Sequence, residues 1–168
     1  MKSISKKTAF FALFVALAFV FSYLETLIPF NFGIPGIKLG LANLVVVTAM
    51  YTVGEKQAFA ISVIRIILAG LTFGGVFSLV YSLAGGILSF FAMLLAKRCK
   101  ALSITGVSII GGSVHNIGQI AAAAVVMQTY RIVYYLPVLL LSGAVTGAVI
   151  GIVSVSYTHL TLPTILRV

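Results

Sequence analysis

The stretch GGSVHNIGQI, residues 111–120, places a histidine, an asparagine and a glutamine within five positions of an otherwise apolar chain. On a helix His115 and Gln119, four apart, share a face, and Asn116 and Gln119, three apart, are also neighbours. Imidazole and amide groups both donate and accept hydrogen bonds. The trio can therefore make polar contacts to a bound solute. Four further residues could act with it: Arg65 and Lys38 as positive charges, Asn43 as an amide, and Glu25 as a counter-charge or a head-group ligand. Two cations point to a solute bearing a carboxylate or phosphate.

The rest of the composition excludes much other chemistry. The chain has 168 residues, of which 61% are hydrophobic and 8% charged. A soluble domain carries roughly a quarter charged residues, so the class is integral membrane protein. Glu25 and Glu55 are the only acids, and there is no aspartate. Cys99 is the only cysteine, which excludes an intrachain disulfide and argues against a cysteine-based metal site. No catalytic residue, metal site or cofactor is expected. No GxxxxGK[ST] loop is present to bind a nucleotide phosphate. The net charge of +9 forms no stripe that would suit nucleic acid. The basic residues fall instead at the ends of apolar segments, where topology signals sit.

Those apolar segments are the elements that must position the polar set. About 20 apolar residues span a hydrocarbon core. The runs are continuous rather than alternating, so they read as helices and not barrel strands. Six helices are expected: Thr8–Ile28, Leu39–Val53, Gln57–Thr72, Val76–Ala96, Gly106–Gln128 and Ile132–Val153, the second short for a full span. The first is too long for a signal-peptide core, and no small-residue cleavage site follows it. With the N-terminus inside, Lys2, Lys6, Lys7, Lys56, Lys97, Arg98 and Lys100 are cytoplasmic, against Lys38 and Arg131 outside. That bias predicts an N-inside, all-α bundle with six crossings.

Depth then orders the polar residues. Arg65 lies eight residues into the third helix, roughly 12 Å deep and near the midplane. His115 sits at similar depth, Asn116 and Gln119 slightly further out, Asn43 one turn into the second helix, and Glu25 near the outer end of the first. The set runs from midplane to outer face, which predicts a pocket open outward and closed inward. A second reading stands beside each assignment. Arg65 and Glu25 could be a structural ion pair, His115, Asn43 and Gln119 could be interhelical glue, and Lys38 could only snorkel. Small residues at four-residue spacing, Gly143, Gly147 and Gly151, then Ser82 with Gly86 and Gly85 with Ser89, predict close helix packing. Ala12 and Ala16 form a similar stripe on the first helix, facing inward or docking on another membrane protein.

The end of the chain reads differently. VSYTHLTLPT, Val155–Thr164, resembles a translation of the transposon end used in sequencing-library preparation: GTC TCT TAT ACA CAT CTG ACG CTG CCG ACG encodes those residues in order. Residues 1–154 are thus expected to form one membrane domain, truncated at its C-terminus, and 155–168 a non-native tail. His159 and Arg167 carry no functional weight on this reading.

PGIKLGLANL (35–44), SLAGGILSFFAM (82–93), GGSVHNIGQI (111–120) and YYLPVLLLSGAVTG (134–147) resemble the Gx transporter family. Its members are labelled heptaprenyl diphosphate synthase component I, and it is similar to the S components of energy-coupling-factor importers. The resemblance implies a six-helix, substrate-binding subunit of a bacterial cytoplasmic membrane importer. It implies a vitamin- or cofactor-like ligand held near the outer face under the loop joining helices 1 and 2, here residues 29–40. It also implies docking of a transmembrane coupling subunit, with its ATPases, on the stripe matched by Ala12 and Ala16. The enzyme label sits poorly with the residues. Prenyl diphosphate chemistry uses carboxylate-held magnesium, and this chain has no aspartate. A non-catalytic accessory role in polyprenyl diphosphate synthesis and a stand-alone transporter remain as alternatives; the latter should show internal repeats, and none is convincing.

Overall fold

A computed structural model describes residues 2–27, 41–99 and 102–165, and side-chain surroundings over 8–27, 42–99 and 102–156. The described chain is helical, with six α-helices: α1 (Lys2–Leu27), α2 (Leu41–Thr52), α3 (Glu55–Ala69), α4 (Gly75–Arg98), α5 (Ile104–Val126) and α6 (Leu136–Ile165). A π-helical turn, Gly70–Gly74, joins α3 to α4, and a 3-10 turn, Tyr130–Tyr135, precedes α6. Several boundaries have a local cause. The Ser103 hydroxyl caps α5 by accepting from the Gly106 N–H at 3.2 Å, which starts the helix two residues earlier than the apolar pattern suggests. Gln128 ends it in the left-handed region at φ +48°, with the Thr129 N–H returning to the Ala124 carbonyl at 3.2 Å. The 3-10 turn occupies the expected start of the sixth helix, and Pro137 stands in the first turn of α6, where its missing N–H costs nothing. No proline or glycine interrupts 152–162, and α6 continues past the expected end at Val153.

Four stretches are long and apolar enough to cross a membrane: Thr8–Leu27, Glu55–Arg98, Ile104–Val126 and Tyr130–Ser156. The second is 44 residues long but is not one rod. Phe59 of α3 meets Phe90 of α4 with ring centroids 5.1 Å apart, so the two helices run antiparallel. The reversal falls at Gly75, with φ +73° and ψ 167°, where an added Cβ would meet nothing within 4 Å. Glycine is needed there for its backbone freedom alone. The expectation of six full crossings meets a limit at α2. Its 12 described residues span about 18 Å, against a hydrocarbon core of about 30 Å, and the residues before Leu41 lie outside the described set.

The helices close a ring. α4 packs between α3 and α5, α5 between α4 and α6, α6 returns to α2, and α2 lies against α3; α1 lies against α2 and α3. α2 is buried almost all round, as its Ala42, Val45, Val46, Val47, Ala49 and Met50 record. The core gathers these with Phe14, Ala18, Ala58, Ile61, Phe90, Met93, Ala96, Val107 and Ile150. It fills the half of the bundle nearer the α2–α3 turn. α2 is also tied to α6 by the buried Thr48 and Ser154 hydroxyls, 3.3 Å apart.

Glycines set the spacing of α4, α5 and α6. A Cβ on Gly147 would stand 2.6 Å from the Ser108 carbonyl oxygen and 2.7 Å from Ile109 Cα. One on Gly151 would stand 2.5 Å from Thr105 Cα, and one on Gly112 would collide with the Gly143 carbonyl. On the other flank, Gly85 faces α5 while Gly86 faces Ile66 of α3, and the Ser89 hydroxyl donates to the Gly111 carbonyl at 2.8 Å. Backbones can approach this closely only where side chains are missing.

The end bearing the α2–α3 turn carries one polar clasp. Lys97 Nζ pairs with Glu55 Oε1 at 3.1 Å, donates to the Met50 carbonyl at 3.0 Å and sits 5.0 Å from the Tyr51 ring centroid. The carboxylate is 40% exposed, so Glu55→Gln should cost under about 1 kcal/mol and less in high salt. Lys97→Met also removes the bond to the carbonyl and the ring contact, and should cost about 1–2 kcal/mol. Denaturation of both variants in detergent checks the order.

Candidate functional site

The polar residues group by helix seam. Arg65, in the last two turns of α3, is only 8% exposed. It reaches α2, where its Nη2 donates to Asn43 Oδ1 at 2.7 Å. Glu25, in the last turn of α1, acts electrostatically on the same guanidinium. Three helices that meet side by side thus bring together Glu25, Asn43 and Arg65. Arg65 Nε is buried with no hydrogen-bond partner. Buried polar atoms are nearly always paired, and an unpaired donor on a cation is costly. Lys38 and the 29–40 segment lie outside the described residues.

His115 and Gln119 lie together on the α4-facing side of α5. Their nearest atoms to a Cβ on Gly85 would be the His115 carbonyl oxygen at 2.7 Å, Gln119 Cγ at 2.8 Å and His115 Cε1 at 3.2 Å. The absence of a side chain at Gly85 is what admits them. Because Gly85 and Gly86 are adjacent, His115 of α5 and Ile66 of α3 stand at one level on two flanks of α4. Arg65, next to Ile66, shares that level, as its expected depth required.

Asn116 turns elsewhere. Its Nδ2 donates to the Leu139 carbonyl of α6 at 2.5 Å, and it also abuts Gly143. Successive helix residues are separated by about 100°, so His115 and Asn116 serve different seams. The structure therefore gathers the expected set into three places: Glu25–Asn43–Arg65, His115–Gln119, and Asn116 with α6. Ala12 and Ala16 are both exposed, and the inward face of α1 is Phe14, Ala18 and Ser22 instead. Of the two orientations open for that stripe, it faces outward.

Two features lay outside the expected set. Tyr81 has a buried hydroxyl with no partner, and it stands one turn before Gly85 on α4, a spacing visible in the sequence. The π-helical turn abuts α1, with Phe73 5.7 Å from Phe19 and 5.8 Å from Tyr23 between ring centroids. Among the described residues, no three His, Cys, Asp or Glu side chains come close enough to hold a metal ion. The carboxylates are far apart in the fold: Glu55 belongs to the Lys97 clasp, and Glu25 stands beside Arg65.

No curated protein and no solved structure matches the chain. Residues 14–157 match the family described as heptaprenyl diphosphate synthase component I. That span includes α2, α3, α4 and α5 whole, the polar residues between them, and the glycine seams of α6, so the chain belongs to the heptaprenyl diphosphate synthase component I family.

Proposed function

We propose that the chain is the membrane-embedded, substrate-binding subunit of an importer of the bacterial cytoplasmic membrane, taking a small vitamin- or cofactor-like molecule. The observation that carries this reading is one-sided polarity around Arg65. A buried guanidinium, held by Asn43 and faced by Glu25, stands above an apolar core that fills the other half of the bundle. A solute site closed at one end has this form, whereas a channel needs polar lining in both halves. On this reading the helices cross six times, and the Lys97 clasp faces the cytoplasm, as the positive charges favour. The outward Ala12–Ala16 stripe receives a transmembrane coupling subunit, whose ATPases supply the energy.

The family description favours a second reading, a non-catalytic membrane subunit of heptaprenyl diphosphate synthesis. The chain lacks aspartate, and its two carboxylates serve different ends of the bundle, which argues against prenyl transfer by this chain alone. Pull-down of the full-length protein from native membranes separates the two. Recovery of a membrane subunit with ATPases supports the importer; recovery of a soluble prenyl synthase instead supports the second reading. Ala12→Trp should cut recovery of the coupling subunit about tenfold or more while the fold persists. Undiminished recovery removes the docking assignment.

A further inference from the structure

We infer that the outer side of the α3–α4 seam, capped by Lys56 and Arg98, is a binding groove for one anionic phospholipid.

Helix period places the groove. On α4, Gly86 meets Ile66, Phe90 meets Phe59 and Lys97 meets Glu55. These pairs mark the line along which the two helices touch. The residue after each is turned about 100° round its helix. On α4 those residues are Ile87, Phe91 and Arg98; on α3 they are Ile67, Ala60 and Lys56. The residues before the contact line run inward: Gly85 and Ser89 lie against α5, and Arg65 is buried. The residues after it therefore run outward on both helices, and Lys56, Ile67, Ile87, Phe91 and Arg98 are all exposed. The two outward rows border one groove. Its apolar part is fixed in place. Phe91 is 52% exposed, yet its ring centroid stands 6.1 Å from Phe59 and 6.5 Å from Phe90, which holds it as a shelf. Leu95, one turn nearer the clasp, is 65% exposed. Acyl chains can lie along such a surface.

Charge selects which lipid. Lys56 and Arg98 follow directly on Glu55 and Lys97, so the clasp sets them at one level, at the open end of the α3–α4 hairpin. The sequence holds two acids only. Glu55 pairs with Lys97, and Glu25 acts on Arg65. Neither Lys56 nor Arg98 is left an acidic side chain in its own chain. Positive charge at this end orients a chain wherever it stands; what makes a site is the register of two such charges above one exposed apolar seam. Arg98 can offer two parallel N–H donors to a phosphate, and Lys56 adds a compact charge. A phosphatidylglycerol head brings a net negative charge to the pair. Phosphatidylethanolamine brings an ammonium to the same two cations, which repel it. Inorganic phosphate has no chains to lay on Phe91. Basic pockets between transmembrane helices bind anionic head groups in this way.

The test uses the full-length protein in detergent. Native mass spectrometry follows its binding from an equimolar mixture of phosphatidylglycerol and phosphatidylethanolamine. Melting is measured with each lipid and with inorganic phosphate at matched ionic strength. One phosphatidylglycerol should be retained in preference to phosphatidylethanolamine, and it should raise the melting temperature where the other two do not. Lys56→Gln/Arg98→Gln should weaken phosphatidylglycerol binding about 25-fold, about fivefold for each cation, with melting in phosphatidylethanolamine unchanged. Lys6→Gln/Lys7→Gln removes the same charge elsewhere and should bind as the wild type does. Equal retention of the two lipids by the wild type overturns the site, whatever the variants do. An equal loss in both double variants also overturns it, because net charge alone then attracts the lipid. A melting gain from inorganic phosphate equal to that from phosphatidylglycerol does the same, because the apolar shelf then contributes nothing. If Lys56→Gln/Arg98→Gln keeps the lipid preference but no longer recovers partner subunits from native membranes, the two cations belong to a protein contact and the lipid site is overturned.

Discussion

Gly147→Ala should destabilise the protein by about 2–3 kcal/mol, a large effect for one methyl group. In an ordinary helix the same change is favourable, because alanine exceeds glycine in helix propensity by about 1 kcal/mol. Here the methyl would stand 2.6 Å from the Ser108 carbonyl oxygen and 2.7 Å from Ile109 Cα. Both are backbone atoms of α5 and cannot rotate away. α5 and α6 must separate, and separation breaks the contacts at Gly112–Gly143 and Gly151–Thr105 along the same seam. The bond from Asn116 to the Leu139 carbonyl lengthens with it. Gly106→Ala is the control on α5. The nearest atom to its Cβ would be Leu102 Cδ2 at 3.4 Å, so that variant should match the wild type or exceed it by a fraction of about 1 kcal/mol. Denaturation in detergent, followed by far-ultraviolet circular dichroism, compares the pair. Equal stability of the two would mean that the seam opens without cost.

Asn43→Leu and the double variant Asn43→Leu/Arg65→Met should move stability in opposite directions. Removing the amide alone leaves the guanidinium buried with a second unsatisfied nitrogen, and losing a hydrogen bond to a buried charged group costs about 2–3 kcal/mol. Replacing both partners by apolar side chains of similar size removes the desolvation burden itself. The double variant should then equal the wild type or exceed it by about 1–4 kcal/mol. A protein that becomes more stable on losing the pair has kept Arg65 for binding. If the double variant instead loses as much as the single one, Arg65 and Asn43 are structural glue. The same denaturation series decides between these outcomes.

Much of this arrangement is written locally. Continuous apolar runs define six helices, because each run exceeds what a strand would bury and is bounded by Gly, Pro or charged text. The four-residue spacing of Gly143, Gly147 and Gly151 marks a flat helix face whatever its neighbour. The shared level of Arg65 and His115 follows from counting residues inward at 1.5 Å each. What local text cannot carry is the identity of the neighbour. His115 and Asn116 are adjacent in sequence yet serve α4 and α6, and only the ring order of the helices decides that. Lys97 reads as a topology signal, but its four-carbon stem reaches back to Met50 and Glu55. The Glu25–Asn43–Arg65 group was legible as a set of depths, and its geometry was not. That Asn43 Oδ1 takes up an Arg65 Nη while Nε stays open depends on how α2 leans on α3.

The Lys97 clasp bears on how the bundle is built during synthesis. The described residues of α2, Leu41–Thr52, take their polar ties from partners made later in the chain. Its tether, the Lys97 ammonium on the Met50 carbonyl, lies 47 residues downstream, and its Ser154 partner on Thr48 lies 106 residues downstream. When α2 leaves the ribosome, neither exists. The most buried of the described helices is therefore seated late, held first by α1 and α3, then by the end of α4, and locked only when α6 arrives. A chain that ends before Leu136 has no α6 to close over its central helix.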